Sequence, residues 1–197
     1  MSTPILLLGP SGVGKTTVTK YALGKVKHIT CLVLDNIAHK HAREQGLIDR
    51  REDLNALICA LDGNRDRLLD FGRAALEKEL AQTDEGPVVV DVGTGFLDAS
   101  HSLDWITGQQ AIAITADSAC AYDRFRKARK LDISYEQYAI TQFSRKRRTI
   151  YDHAGVVIKS DHLSEQQLCR LFLLTLIGCL EPEYARLALN GLVDCDL

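Results

Sequence analysis

The residues best suited to chemistry lie near the N-terminus, where residues 9–16 read Gly-Pro-Ser-Gly-Val-Gly-Lys-Thr. This segment matches the pattern G-x-x-x-x-G-K-[ST], in which glycines allow backbone N–H groups to turn inward around an anion. Lys15 can reach the β- and γ-phosphates of a nucleotide, and the hydroxyl of Thr16 can bind magnesium. The predicted nucleotide-binding residues are Gly9, Pro10, Ser11, Gly12, Val13, Gly14, Lys15, Thr16 and Thr17.

The phosphate-binding loop predicts a nucleoside triphosphate but does not identify its use, because kinases, GTPases and motor ATPases all carry this loop. A GTPase needs an N/T-K-x-D motif after a later strand, and the sequence contains none. Large ATPases of the helicase or transporter type need a longer chain. The apparatus of a small-molecule kinase fits within 197 residues. We therefore expect ATP with Mg²⁺ as the ligand.

Two acids follow apolar runs and are candidates for catalysis or for magnesium binding. Asp35 follows Thr30–Leu34, and Asp91 ends the run Val88-Val89-Val90-Asp91. Acids at the carboxyl ends of parallel strands emerge at one edge of the sheet, where they can bind magnesium or accept a proton from an attacking hydroxyl. The alternative is that each acid caps a following helix. Beside Asp91, Gly93-Thr94-Gly95 predicts a loop that a substrate can approach closely.

Positive charge is concentrated between Arg124 and Arg148. Arginines in a closing lid can stabilise the charge that develops during phosphoryl transfer. Arg126 and Arg129 are three residues apart and share a helical face, whereas Arg124 lies off that face. The alternatives are a solvated helix surface or an RNA-binding patch. The sparse aromatic residues in this segment and a net charge of −2 argue against RNA.

Strand-like and helix-like patterns alternate along the chain, which predicts an α/β fold with a mostly parallel sheet covered on both faces. The predicted strands are Ile5–Leu8, Thr30–Leu34, Val88–Asp91, Ala111–Thr115 and Gly155–Ile158. The helix-like segments are Gly14–Val26, Ala38–Glu44, Arg51–Leu61, Asp66–Leu80, Ser118–Lys130, Ser134–Arg148 and Leu168–Leu180. Ser134 with Gln137 and Ser164 with Gln167 have the spacing of capping boxes.

Length and composition suit one soluble domain. The chain has 197 residues, of which 46% are hydrophobic and 25% charged, and its six cysteines lack metal-site spacing. The N-terminus has no secretory pattern, and the apolar run Leu171–Leu180 is too short to span a membrane. We expect a cytoplasmic protein with reduced thiols and no membrane partner. The oligomeric state cannot be read from these features.

The order of these motifs resembles that of the P-loop small-molecule kinases, in particular the shikimate kinase and nucleoside-monophosphate kinase group, with dephospho-coenzyme A kinase close by. The segment from Arg147 to Ile158 is similar to the R-x-x-L-Y-x-x-A-D-x-x-I pattern of shikimate kinases. The resemblance implies one P-loop kinase domain over residues 1–197, a sheet in the order 2-3-1-4-5, and a helical lid at about 124–148.

The resemblance also implies roles for individual arginines. Arg124 would lie near the adenine and the phosphates, and Arg126 or Arg129 would be the lid arginine. Arg147 would hold an anionic group of the acceptor. Together with the residues themselves, it suggests Lys15, Asp35, Asp91, Arg126 and Arg129 as catalytic residues. Asp35, Gly93, Thr94, Gly95 and Arg147 are the candidate substrate-binding residues, and Thr16, Asp35 and Asp91 the candidate magnesium ligands.

The chain departs from the shikimate kinase pattern on the acceptor side. Asp35-Asn36-Ile37 stands where that family has D-x-D, and Gly93-Thr94-Gly95 stands in place of three glycines. For the family's second acceptor-binding arginine, Arg51 and Arg65 are the candidates. The loop also resembles that of guanylate kinases, but their S-x-T-T-R segment is absent. The acceptor therefore stays open.

Three functions are compatible with the sequence. The first is transfer of the γ-phosphate of ATP to a small anionic metabolite or nucleotide, with Asp35 or Asp91 preparing the acceptor. The second is a nucleotide-dependent regulatory ATPase or binding module without a small-molecule acceptor. The third is a kinase or binding protein that uses the basic stretch to contact RNA. The motif order favours the first.

Overall fold

A computed structural model describes residues 3–26, 28–49, 54–129 and 132–193. It contains a parallel sheet in the order β2-β3-β1-β4-β5. The strands are β1 (Ile5–Leu8), β2 (Thr30–Val33), β3 (Val88–Asp91), β4 (Gln110–Thr115) and β5 (Val156–Lys159). This arrangement confirms the predicted α/β fold class and the strand order.

Helices cover both faces of the sheet. They are α1 (Lys15–Thr17), α2 (Leu34–Glu44), α3 (Leu54–Ala60), α4 (Arg65–Leu80), α5 (Ser102–Thr107), α6 (Ser118–Arg129), α7 (Tyr135–Gln142), α8 (Arg145–Asp152), α9 (Glu165–Cys179) and α10 (Pro182–Val193). None of these helices is both long enough and apolar enough to cross a membrane. The predicted segments that include Arg51 and Lys130 extend outside the described residues.

Alternate side chains of the central strands build two hydrophobic cores. Leu6 and Leu8 of β1 pack in one core with α2, α3, α4, α5 and α8, whereas Ile5 and Leu7 pack in the other with α6, α7 and α9. Successive side chains of a strand point to opposite faces, so a strand buried on both sides must be apolar throughout. This explains the continuous apolar runs in β1, β3 and β4.

The strand before Asp35 is not buried on both faces, although its apolar run Thr30–Leu34 is typical of a buried strand. Thr30–Val33 is only half-buried, because β2 lies at the sheet edge and pairs with β3 alone. It also ends earlier than predicted, since α2 begins at Leu34. Asp35 therefore lies in the first turn of a helix directly after the strand.

Two predicted helices are interrupted. Ser134–Arg148 was expected to be one helix, but Ser144 starts a new one, and its hydroxyl accepts a hydrogen bond from the Arg147 N–H at 3.3 Å. The first helix is α-helical only over Lys15–Thr17 and continues as a π-helix over Val18–Ala22 and a 3₁₀-helix over Leu23–Lys25. A run of β-branched residues at 16–19 disfavours a regular α-helix there. Both predicted capping boxes, at Ser134 and Ser164, are confirmed.

Candidate active site

A cleft of about 640 Å³ lies at the carboxyl edge of the sheet, a volume within the usual range of ligand sites. It contains most of the residues singled out from the sequence. The predicted site residues that line it are Pro10, Ser11, Gly12, Val13, Gly14, Lys15, Thr16, Thr17, Asp35, Asp91, Gly93, Thr94, Gly95, Arg124 and Arg129. Gly9, Arg126 and Arg147 are not part of its lining.

The phosphate-binding loop depends on glycine at positions where the backbone is left-handed. Gly12 has φ of +92° and Gly14 has φ of +108°, which residues with a side chain rarely adopt. A Cβ atom on Gly12 would also lie 2.2 Å from the carbonyl oxygen of Ala121. Helix α6 is therefore packed directly against the loop, and the loop leads straight into α1.

Lys15 is half-buried in the cleft, where the charges of both acids act on it. Its Nζ donates a hydrogen bond to the Gly9 carbonyl at 2.8 Å. Burial lowers the pKa of Lys15, while the carboxylates of Asp91 and Asp35 act in the opposite direction, Asp91 more strongly. The side chain is thus held by the loop itself and placed within the field of both acids.

Asp91 is close enough to Asp35 to affect the ionisation of that residue. Burial raises the pKa of Asp35, and the carboxylate of Asp91 raises it further, against opposing effects of Lys15 and Arg129. Burial also raises the pKa of Asp91, against the effect of Lys15. The N-cap position of α2 is Val33, two residues before Asp35, and no side-chain hydrogen bond caps this helix. The interpretation of Asp35 as a helix cap therefore lacks support.

The carboxylate of Asp35 lies against the glycine loop. A Cβ atom on Gly93 would lie 2.3 Å from each carboxylate oxygen of Asp35. One of these oxygens, Oδ1, is buried and has no hydrogen-bond partner. A buried carboxylate oxygen without a hydrogen-bond partner lowers the stability of the folded protein. Such atoms are therefore rare, and they commonly mark functional sites.

The donor set fits a magnesium ion that keeps part of its water shell. Asp35, Asp91 and the Thr16 hydroxyl all line the cleft, and the unpartnered Asp35 Oδ1 can accept a hydrogen bond from a metal-bound water or from an acceptor hydroxyl. Within the described residues there is no group of three or more His, Cys, Asp or Glu that could enclose a metal. Magnesium is usually held by one or two carboxylates together with substrate phosphates and water, so this sparse oxygen set suffices.

The three arginines of α6 have different surroundings. Arg129 lines the cleft, and its guanidinium lies 5.9 Å from the centre of the Phe125 ring. Arg126 lies outside the cleft, with its guanidinium 5.8 Å from the ring centre of Tyr122. The guanidinium of Arg124 donates to the Ser160 hydroxyl at 3.1 Å and to the Ser160 carbonyl at 2.9 Å. The shared helical face of Arg126 and Arg129 therefore does not bring both to the site.

Arg147 is engaged by an acid rather than exposed to an acceptor. It is 5% exposed, and its Nε and Nη2 donate to the two carboxylate oxygens of Asp98 at 2.8 and 2.7 Å. Its Nη1 is buried without a partner. Arg51 and Arg65 are the candidates for a second acceptor-binding arginine. Arg65 lies near the glycine loop, since a Cβ atom on Gly95 would lie 3.9 Å from its Nη1. Arg51 lies outside the described residues.

Several lining residues were not identified from the sequence. They are Leu54, Phe125, Ala128, Leu163, Ser164, Glu165 and Leu168. The capping box at Ser164 did locate a helix start in this region, but apolar residues carry no sequence signal that separates a cleft wall from a core. Arg124 lies at the same end of the site as residues 163–165, because it contacts Ser160 and the Asp161 carbonyl.

Comparison with solved structures finds proteins of similar fold. No protein-family model matches the chain, and no curated protein sequence matches it significantly. Shikimate kinase from Bacteroides thetaiotaomicron is 17% identical, with 90% of this chain and 99% of that chain covered and a TM-score of 0.64. Shikimate kinase from Acinetobacter baumannii in complex with shikimate is 18% identical, with 91% and 96% covered and a TM-score of 0.54.

Dephospho-CoA kinase from Campylobacter jejuni is 15% identical, with 91% of this chain and 100% of that chain covered and a TM-score of 0.58. Identities this low establish the fold and leave the activity to be argued from the site. Both protein classes are those that the motif order resembles. The chain therefore has the P-loop kinase fold of shikimate kinase and dephospho-CoA kinase.

Proposed function

We propose that the protein is an ATP-dependent phosphotransferase that moves the γ-phosphate of ATP to a small anionic metabolite or nucleotide. The observation that carries this proposal is one cleft that holds the phosphate-binding loop, Lys15 and two half-buried carboxylates, Asp35 and Asp91. A nucleotide-binding loop alone would serve many functions. The two carboxylates and residues 93–95, which line the same cleft, supply groups suited to a second substrate.

The two acids take different roles in this proposal. We assign Asp91 to the phosphate side of the cleft, because its pairing with Leu7 brings it beside the loop that follows β1. We assign Asp35 to the acceptor side, because its carboxylate lies against Gly93 of the loop proposed to bind the acceptor. Asp35 accepts the proton of the acceptor hydroxyl as that oxygen bonds to the γ-phosphorus and the bond to ADP breaks. Its raised pKa makes it a stronger base than an ordinary carboxylate.

Asp91 and the Thr16 hydroxyl would hold Mg²⁺, which neutralises charge on the phosphate oxygens. The N–H groups of the loop and Lys15 bind the phosphates, and Arg129 faces the same space. The acceptor would lie among Asp35, Leu54 and residues 93–95, with Arg65 the arginine near Gly95. The likeness in fold to proteins named as small-molecule kinases supports phosphoryl transfer, and the acceptor is left to experiment.

A coupled assay of ADP release tests the proposal directly. Purified protein with ATP and Mg²⁺ is offered a panel of hydroxy acids, nucleosides and nucleotides, and the phosphorylated product is identified by mass spectrometry. We expect one class of acceptor to raise ADP release well above the slow hydrolysis by water. If ATP binds tightly but no acceptor raises turnover, a regulatory ATPase replaces the phosphotransferase proposal. Binding of RNA that weakens steeply with salt would favour the third function.

Arg129 and Arg126 form a matched pair for testing the lid arginine. Arg129→Ala is expected to lower kcat about tenfold, since one charge-stabilising donor at a partly solvated site contributes less than a fully buried one. Arg126→Ala should stay within about twofold of wild type, because Arg126 lies against Tyr122 outside the cleft. Steady-state kinetics at saturating ATP provides the measurement. Equal losses in the two variants would contradict this assignment.

A further inference from the structure

Two side chains of helix α7 bind the carbonyl and the N–H group of Ser11. The Tyr138 hydroxyl donates to the Ser11 carbonyl at 2.5 Å, and the Ser11 N–H donates to Oε1 of Gln142 at 3.0 Å. Tyr138 and Gln142 are four residues apart and so lie on one face of the helix. These contacts span more than a hundred residues of sequence, and neither residue belongs to the nucleotide-binding motif.

A second contact of this kind involves Ser160, directly after β5. Its side chain is fully buried, and its Oγ lies 3.0 Å from the Val13 carbonyl oxygen and 3.2 Å from that of Thr115. The Arg124 guanidinium donates to the same Oγ at 3.1 Å. Because the arginine can only donate, the hydroxyl hydrogen of Ser160 stays available for a carbonyl. The Thr115 carbonyl already accepts a hydrogen bond from the Ser160 N–H at 2.8 Å, so we assign the hydroxyl hydrogen to the nearer Val13 carbonyl.

Holding these two carbonyls fixes the direction of the next two N–H groups. In a trans peptide the C=O bond and the following N–H bond point in opposite directions, and the described residues contain no cis peptide. The carbonyls of Ser11 and Val13 are bound away from the cleft, so the N–H groups of Gly12 and Gly14 must face the other way. Both glycines have left-handed φ values and the large conformational freedom of glycine, so these peptides need an external restraint.

We propose that Tyr138, Gln142 and Ser160 are positioning residues that orient the loop peptides so that the N–H groups of Gly12 and Gly14 face the phosphates before any nucleotide binds. The proposal rests on the proposed nucleotide site. Preorganised donors lose little orientational freedom when the anion arrives, and affinity for polyphosphate therefore depends on them. Burial raises the pKa of Tyr138, so its hydroxyl stays a protonated donor at neutral pH.

The test removes single polar groups and keeps the packing. The Tyr138→Phe, Ser160→Ala and Gln142→Met variants are titrated with inorganic tripolyphosphate by calorimetry. Each is expected to bind it about fivefold more weakly than wild type, the loss of roughly one hydrogen bond. Gln142 is only half-buried, so its variant is informative even if a change at the buried Tyr138 or Ser160 impairs folding.

Two matched controls separate loop orientation from the general loss of a buried hydroxyl. Tyr122→Phe removes a donor to the Ile133 carbonyl at 2.7 Å, and Ser102→Ala removes a buried hydroxyl that lies 2.8 Å from the Ala99 carbonyl. Neither carbonyl belongs to the phosphate-binding loop. Both controls should bind tripolyphosphate within about twofold of wild type.

The amide resonances of Gly12 and Gly14 report on orientation directly. In wild-type protein they should shift when tripolyphosphate binds, and in Ser160→Ala the shift of Gly14 should be reduced. Affinities equal to those of the controls, with unchanged glycine shifts, would overturn the positioning role. A wild-type protein that does not bind tripolyphosphate would overturn it together with the nucleotide site. Binding without any acceptor-dependent turnover would count against the phosphotransferase proposal alone.

Discussion

Replacing Asp35 with asparagine is expected to lower kcat about a thousandfold and to raise the melting temperature of the same protein. The loss of activity follows from the removal of the proposed base, for which effects of roughly 10²–10⁴ are usual. The gain in stability follows from burial, which with Asp91 raises the pKa of Asp35 and so disfavours its ionised form in the folded protein. Asparagine keeps the shape and removes the charge.

The stability effect has a defined dependence on pH. A carboxyl group whose pKa is raised on folding destabilises the folded protein once pH exceeds its unfolded value, roughly 4, and the penalty vanishes below it. The melting temperature of Asp35→Asn should therefore exceed that of wild type by a few degrees at pH 7 and by nothing at about pH 3.5. Calorimetric melting of both proteins across this range provides the measurement.

The exposed Asp104 in α5 supplies the control, since Asp104→Asn should change neither kcat nor the melting temperature. The Mg²⁺ concentration that gives half-maximal activity should be similar in Asp35→Asn and wild type, because Asp91 is the proposed magnesium ligand. A variant with a strongly increased Mg²⁺ requirement and near-normal kcat would exchange the two roles. A melting temperature below that of wild type at pH 7 would contradict the desolvation argument.

The features that local sequence could predict are those whose cause is local. The phosphate-binding loop needs left-handed glycines at fixed positions, and these appear in the motif itself. Asp91 is the last residue of an apolar run, and the parallel register that pairs it with Leu7 places it beside the loop that follows β1. The capping boxes at Ser134 and Ser164 are likewise complete within four residues.

What local sequence could not predict depends on distant partners. Arg147 and Asp98 are 49 residues apart, and the sequence around neither residue predicts that they pair. Arg129 lines the cleft and Arg126 does not, because only one side of α6 faces the loop. The contact of Ala121 with Gly12 sets which side that is. Tyr138 and Ser160 contact the loop from positions more than a hundred residues away in sequence, so no local motif predicts these contacts.

Replacing Gly93 with alanine is the second change expected to have a large effect, and it acts through Asp35. Gly93 has φ of −63° and ψ of 142°, which any residue adopts, so the backbone carries no strain from the substitution. The added Cβ would lie 2.3 Å from both carboxylate oxygens of Asp35, a separation that forces the carboxylate to move. We expect kcat to fall about a hundredfold with little change in melting temperature, because a misplaced base transfers protons poorly.

A double-mutant cycle decides whether the effect of Gly93→Ala passes through Asp35. In the Asp35→Asn background the added methyl group has no base to displace, so its further effect on kcat should be small. Gly155→Ala is the matched control: its Cβ would have the Ala111 carbonyl oxygen at 3.6 Å as its nearest neighbour, an ordinary contact, and its kcat should match wild type. Steady-state kinetics of the four proteins in the cycle provides the values. If the two substitutions lower kcat by independent factors that multiply in the double variant, Gly93 acts through its own contact with the acceptor. The effect of Gly93→Ala would then not pass through Asp35.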